Sequence, residues 1–225
     1  MTTVVQIKKL VQPFLKRNPD MVIVGRFVFF KQVDHLFRGV YIDRYSYKEG
    51  FRPVWKVDYL FRPIKDYSTG LGEQIYPALE DQWYIDIPNI DEKLADRMEE
   101  IALPKLNTYN TIEQFSNIRY SFCGQPLTLE QSPAYKLYVD LALGKFDLAD
   151  RALDIFSKQP EYRAKYFHSP EHYDEMMNVV RPMIQAGDKA GIAAKLHEWE
   201  AYSVKQLKLE KYWQPSPFPI EMQMI

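Results

Sequence analysis

The sequence predicts an α+β fold with an N-terminal helix, a three- to four-stranded antiparallel sheet and an all-helical C-terminal half. β-Branched and aromatic runs fill residues 21–87, whereas helical spacing and capping residues take over after Pro88. Strands followed by a run of helices indicate α+β rather than alternating α/β topology. Apolar side chains make up 46% of the 225 residues and aromatic ones 15%, which favours a packed core over a disordered chain.

The first element is predicted to be an amphipathic helix. Its apolar residues recur at helical spacing, at Val4, Ile7, Leu10, Val11 and Phe14. The first 19 residues carry four basic residues and no acid, which is also the charge pattern of an organelle transit peptide. Such peptides are rich in Arg and Ser, and this segment has one Arg and no Ser. We therefore expect a helix packed on the sheet.

The sheet is predicted from four runs with strand character, bounded by turn residues. These runs cover residues 21–31, 36–45, 54–62 and 82–87. In the third run, Trp55, Val57, Tyr59 and Phe61 alternate with polar residues, so one face is expected in the core. Residues 63–81 follow neither period and predict a long loop. Their Gly70 and Gly72 lack the GK[ST] ending of a phosphate loop.

Helix signals organise the second part of the chain. Asn89 and Asn110 each precede a glutamate by three residues, which predicts two capping boxes. Ser-Pro pairs at 132–133 and 169–170 predict helix starts, and glycines at 144 and 187 predict helix ends. Residues 141–149 indicate one helical hairpin without a second copy. The last long helix is expected over about 189–209, before a proline-rich extended tail.

A domain boundary is predicted near residues 121–131, where Gly124-Gln125-Pro126 breaks the pattern. The expected division is a sheet domain over 1–120 and a helical subdomain over 121–225 that packs on it. One continuous domain stays open as the alternative. No apolar run reaches the roughly 18 residues of a membrane span, and charges interrupt any secretory signal, so a cytoplasmic location is expected.

Charge is segregated along the chain, although the net charge is only −1. Residues 1–65 hold 13 Lys and Arg against 5 Asp and Glu, whereas residues 66–100 hold 2 against 10. We expect these two segments to contact and neutralise each other. If they lie apart, a partner surface is expected on the basic sheet face, around Arg38, Arg44, Lys56 and Arg62. Interleaved basic and aromatic residues suit nucleic acid, but the near-neutral total disfavours it.

Residues that could carry chemistry are few. Cys123 is a lone thiol outside any nucleophile signature, and Pro170 separates His168 from His172 at a predicted helix start. We therefore expect no metal and no cofactor. The remaining acid–base candidates are the histidines and one aspartate in the apolar stretches: His35, Asp58, His172 and His197. A catalytic site requires two of them to meet a third polar group in a deep pocket.

The first half of the chain resembles a family of uncharacterised bacterial domains. The resemblance rests on the helix that ends in residues 10–17, on the strand after it, and on the Asp-Glu-Lys-Leu and Leu-Pro-Lys-Leu segments within 91–106. Some small domains of this kind are immunity or accessory proteins beside bacterial toxins, so the resemblance implies protein interaction and carries over no catalytic residue. The first hypothesis is a non-enzymatic, cytoplasmic interaction protein. A nucleic-acid-binding module and an enzyme with a dispersed site are the alternatives.

Overall fold

The computed structural model describes residues 2–45, 49–64, 70–78, 82–122, 125–159 and 169–224. It confirms a mixed fold of helices and an antiparallel sheet. The sheet has more strands than predicted. The helices are spread along the chain on both sides of the sheet, whereas the prediction was one helix before it and an all-helical half after it. The strands are β1 Met21–Val24, β2 Phe27–Phe30, β3 Leu36–Arg44, β4 Gly50–Tyr59, β5 Leu71–Gln74, β6 Trp83–Tyr84, β7 Arg119–Phe122 and β8 Gln125–Thr128.

Helices lie on both sides of these strands in the chain. Two π-helical turns, Met98–Ala102 and Met176–Val180, join consecutive helices. No helix within the described ranges is both long and apolar enough to cross a bilayer. The helices are α1 Val4–Leu10, α2 Gln12–Arg17, α3 Ile90–Arg97, α4 Leu103–Thr108, α5 Ile112–Phe115, α6 Pro133–Ala142, α7 Phe146–Lys158, α8 Pro170–Glu175, α9 Arg181–Gln185, α10 Lys189–Gln206 and α11 Pro219–Met222.

The main sheet has the order β1-β2-β3-β4-β5, and β6 pairs with the other end of β4. The run predicted as one strand over 21–31 is a hairpin, because Gly25 adopts φ +61° and turns the chain with Val24 opposite Phe27. β5 lies inside the segment predicted as a loop. Its sequence does not alternate, so pairing with β4 makes it a strand. β7 and β8 form a separate hairpin at the predicted boundary.

The sheet is covered on both faces. On one face, Val40, Trp55 and Val57 are buried in a core that includes α1, α2 and α3 and continues through the later helices. On the other face, Phe29 and Phe37 pack in a second cluster with Leu207 and other residues near the end of α10. The C-terminal residues therefore pack directly on the sheet, and the proposed division at residue 120 stays a prediction.

Two helical hairpins in the second part share one turn geometry. Gly144 and Gly187 have φ of +69° and +67° at the ends of α6 and α9. Each glycine N–H bonds the carbonyl three residues back, and the following N–H bonds the carbonyl five residues back, as in a Schellman motif. The helix end at Gly187 and the helix after it were predicted, but the likeness of the two turns was not. The two hairpins share burial rather than identity, since Phe156 after the first turn corresponds to Trp199 after the second.

Two predicted helix caps are wrong. Asn89 is left-handed at φ +56° and makes no side-chain bond to the start of α3. At α5 the capping box lies one residue later than predicted, because Thr111 and Gln114 have the same spacing as Asn110 and Glu113. The Thr111 hydroxyl accepts from the Gln114 N–H, and the Gln114 side chain accepts from the Thr111 N–H.

Candidate functional site

The four basic residues expected to form a partner surface are divided between the faces of the sheet. Arg38 is half-buried on the core face, where it donates to the Leu106 carbonyl at 2.8 Å and burial lowers its pKa. Arg44 is exposed at the end of the same strand. Lys56 lies on the opposite face, and Arg62 is only 5% exposed beyond the end of β4. Their role in binding a partner stays a prediction.

Contact between the basic and acidic segments is confirmed. Arg17 at the end of α2 is paired with Glu92 and lies 2.7 Å from Asp96, both on α3, and 3.1 Å from Glu99 on the π-helical turn after α3. Asn18 adds an amide bond to Glu99 at 2.9 Å. Part of the charge segregation is therefore neutralised within the fold, as expected for two segments that lie side by side.

Three carboxylates on α3 and the π-helical turn after it are more than half exposed, although each is paired with an arginine. The side chains of Glu92, Asp96 and Glu100 are 54%, 67% and 67% exposed, at four-residue spacing. We call these three residues the α3 ridge. Tyr76, which is 59% exposed, lies beside it, because Arg97 donates to the Tyr76 carbonyl and pairs with Glu100. Tyrosine is among the residues that are enriched at protein interfaces.

Two of the predicted acid–base candidates meet at a residue that was not predicted. The His35 Nδ1 atom lies 2.9 Å from Glu200 Oε1, and the His197 Nδ1 atom lies 3.8 Å from Glu200 Oε2. Glu200 is fully buried on α10. The ring of Phe218 lies between the imidazoles, 3.9 Å from His35 and 4.7 Å from His197 between centroids. We call His35, His197, Glu200, Phe218 and Glu221 the His35 cluster.

The electrostatics of the His35 cluster follow from burial and pairing. Burial alone lowers the pKa of His35, but the hydrogen bond and charge of Glu200 outweigh it, so the pKa is raised. Burial also raises the pKa of Glu200, although the charge and hydrogen bond of His35 oppose the shift. Both directions indicate that the pair retains a proton that an unfolded chain releases. Glu221 closes the cluster by accepting from the Phe218 N–H at 2.6 Å and facing His197 Nε2 at 2.9 Å.

The other two candidates belong to a second polar cluster at the end of β4. Asp58 accepts from Arg62 at 3.1 Å, and Arg62 donates to the Tyr135 hydroxyl at 3.2 Å. The Arg62 guanidinium also lies over the rings of Tyr59 and Tyr135, 5.5 and 4.8 Å from their centroids. Burial raises the pKa of Tyr135 to about 12. The fully buried Tyr59 hydroxyl has no hydrogen-bond partner among the described residues.

His172 joins this cluster through Tyr138 on α6. The Tyr138 hydroxyl is hydrogen-bonded to His172 Nε2, and Glu175 lies 3.2 Å from His172 Nδ1. Glu175 also accepts from Lys195 at 2.9 Å. Burial raises the pKa of Tyr138, so its phenol stays protonated at neutral pH and does not serve as a base there. The arrangement holds α6, α8 and α10 together.

Some of these residues had a signal in the sequence. Glu200 lies on the same helical face as Leu196 and Ser203, so the helical spacing could have predicted a carboxylate on the buried face. Tyr138 shares one face of a predicted helix with Leu137 and Leu141, whereas Phe218 had no signal beyond being aromatic. Cys123 and His168 lie outside the described residues. Within the described ranges, no group of three or more His, Cys, Asp or Glu residues is arranged to hold a metal ion.

Comparison with known proteins finds no relative of this chain. No protein-family model, no curated protein and no solved structure matches the chain. The resemblance of the first half to bacterial domains of immunity or accessory type therefore stays a prediction. The chain's own residues are therefore the basis for its proposed function.

Proposed function

We propose that this chain is a non-enzymatic protein-interaction protein. The observation that carries the proposal is the use of all four acid–base candidates as links between separate elements. His35 joins the start of β3 to α10, and His197 joins α10 to α11. Asp58 holds Arg62, which reaches α6, while His172 connects α8 to α6. Side chains bound in this way stabilise the fold and are poorly placed to exchange protons with a substrate.

The partner surface that this proposal favours is the α3 ridge. Its three carboxylates and the neighbouring Tyr76 are exposed, whereas Arg38 and Arg62 are engaged inside the fold. An acidic surface with an aromatic residue is complementary to a partner that presents Lys and Arg around an apolar centre. Association through such a surface is faster at low ionic strength and weakens with salt.

The test is capture of a host protein by the immobilised chain at low and high salt. A variant with Glu92→Gln, Asp96→Asn and Glu100→Gln removes the ridge charge and leaves amide oxygens that can still accept hydrogen bonds from Arg17 and Arg97. The matched control removes three exposed acids elsewhere, with Glu113→Gln, Asp147→Asn and Glu210→Gln. Salt-sensitive capture that the ridge variant loses and the control retains is the expected result. Equal capture by both variants would rule out the ridge as the partner surface.

A second candidate function, an acid–base enzyme, is favoured by the convergence of His35 and His197 on Glu200. In the packed arrangement, Phe218 occupies the space between the two imidazoles, so a substrate requires its displacement. His35→Gln changes a buried residue and is expected to leave ridge-dependent capture intact.

A further inference from the structure

The C-terminal residues 212–222, which we call the tail strap, lie against the start of β3. At one end, the Val33 N–H donates to the Tyr212 carbonyl at 3.0 Å, and the Gln214 N–H donates to the Val33 carbonyl at 2.8 Å. In the middle, Phe218 is fully buried in the His35 cluster and meets Phe61 edge-on at 5.3 Å. The strap is therefore held by backbone bonds, by buried side chains that include Phe218 and Ile220, and by His35.

His35 faces a hydrogen-bond acceptor on each side of its ring. Nδ1 lies 2.9 Å from the Glu200 carboxylate, and Nε2 lies 3.2 Å from the Pro217 carbonyl. A carbonyl and a carboxylate only accept, so both contacts are satisfied together when each ring nitrogen is bonded through a hydrogen. A neutral imidazole beside an ionised Glu200 has only one N–H, so either Glu200 or Pro217 is left without a hydrogen-bond donor. The Ser216 hydroxyl, 3.2 Å from Nε2, is then free to donate to the bare nitrogen instead.

We propose that the tail strap is a proton-controlled latch, held closed by the protonated His35–Glu200 pair and loosened when that pair loses a proton. The proton between Nδ1 and Glu200 Oε1 belongs to the pair, so the latch depends on the pair's total protonation rather than on one atom. Loss of one proton from the pair leaves a net negative charge in a buried position and leaves either Glu200 or Pro217 without its hydrogen bond to His35.

The other charged groups around the ring are few. Asp34 precedes His35 on its own segment and favours the protonated ring. From α10, Glu200 faces Nδ1, and His197 lies on the far side of Glu200. From the strap itself, Glu221 faces His197 rather than His35. Acids therefore outnumber the histidines around the ring, and this charge balance favours retention of the proton.

The direction of the pH effect follows from the raised pKa of His35. A group whose pKa is higher in the closed state contributes stability that is present below its ordinary range and lost as pH rises through the raised value. The raised pKa of Glu200 acts with the same sign, because the closed state also retains a proton there. The strap is thus held most firmly below the ordinary histidine range and loosens as pH rises above it.

Amide hydrogen exchange tests the latch in the intact chain. Protection of the 214–222 amides, corrected for intrinsic exchange, is measured at about pH 6 and about pH 8.5, on either side of the ordinary histidine range. We expect protection of these amides to fall roughly tenfold at the higher pH, since a bond to a charged group is lost. The amides of α6 should retain their protection. His35→Gln should remove the pH dependence, and His172→Gln, which removes a histidine elsewhere, should keep it.

The latch is overturned if the wild-type strap is equally protected at both pH values, or if the same fall persists in His35→Gln. Should His35→Gln fail to fold, nuclear magnetic resonance titration of His35 decides the question. Its pKa must lie above the ordinary histidine value in the wild type and must fall in Glu200→Gln, which removes the carboxylate. A His35 pKa that Glu200→Gln leaves unchanged contradicts the proposal.

Discussion

The ring of Phe218 is stacked on the imidazole of His35, with centroids 3.9 Å apart and planes inclined by 21°. These two residues are remote in sequence, and their contact joins the C-terminal strap to the beginning of β3. The contact makes a proline-rich tail part of the core, because Phe218 has no exposed surface. An aromatic residue in such a position contributes to global stability and not only to local order.

Phe218→Ala is expected to lower the free energy of unfolding by about 3–5 kcal/mol, the usual range for truncating a buried phenylalanine. The loss is measured as a lower midpoint in urea with an unchanged slope. Met222→Ala is the control on the same strap, because Met222 is 61% exposed, and it should shift stability by no more than about 0.5 kcal/mol. Equal effects of the two changes would show that Phe218 is not packed as described.

Tyr59 and Tyr138 form a matched pair for a second prediction. Tyr138 shares its hydroxyl hydrogen bond with His172, whereas the Tyr59 hydroxyl has no partner among the described residues. Tyr138→Phe should lower stability by about 1–3 kcal/mol, because it leaves a half-buried histidine nitrogen unbonded. Tyr59→Phe should be neutral or stabilising, because it removes an unsatisfied buried group. Thermal unfolding of both variants checks the difference, and a destabilised Tyr59→Phe contradicts it.

Lys208 ends α10 in the conformation that glycine adopts at the ends of α6 and α9. Its φ is +56°, and its N–H and the next one bond carbonyls three and five residues back, as at Gly144 and Gly187. A side chain in the left-handed region is strained, so Lys208→Gly should raise stability by about 0.5–1 kcal/mol.

Gly187→Ala is the reciprocal test of this turn. An added Cβ at Gly187 meets no atom within 4 Å, so only backbone strain opposes the change. We expect Gly187→Ala to lower stability by about 1 kcal/mol, measured by chemical denaturation beside Lys208→Gly. If Lys208→Gly is destabilising while Gly187→Ala behaves as expected, the lysine side chain makes a contact that outweighs its strain.

The sequence by itself determined the fold class and most of the local elements. Alternation in β4 placed Trp55 and Val57 in the core, and the first helix buries Ile7 and Phe14 as its spacing predicts. The Ser-Pro starts of α6 and α8 and the glycine ends of α6 and α9 were also readable. These features depend on residues a few positions apart, so local chemistry is sufficient to specify them.

Only the tertiary structure decided which distant residues meet. β5 forms because its backbone pairs with β4. Gly25 divides one apolar run into two strands, because its positive φ turns the chain, and the apolar pattern does not predict this angle. His35, Glu200 and Phe218 come together because the chain returns to the sheet after α10. Burial and charge pairing then depend on neighbours far apart in sequence, and the same long-range packing sets the protonation of the His35–Glu200 pair.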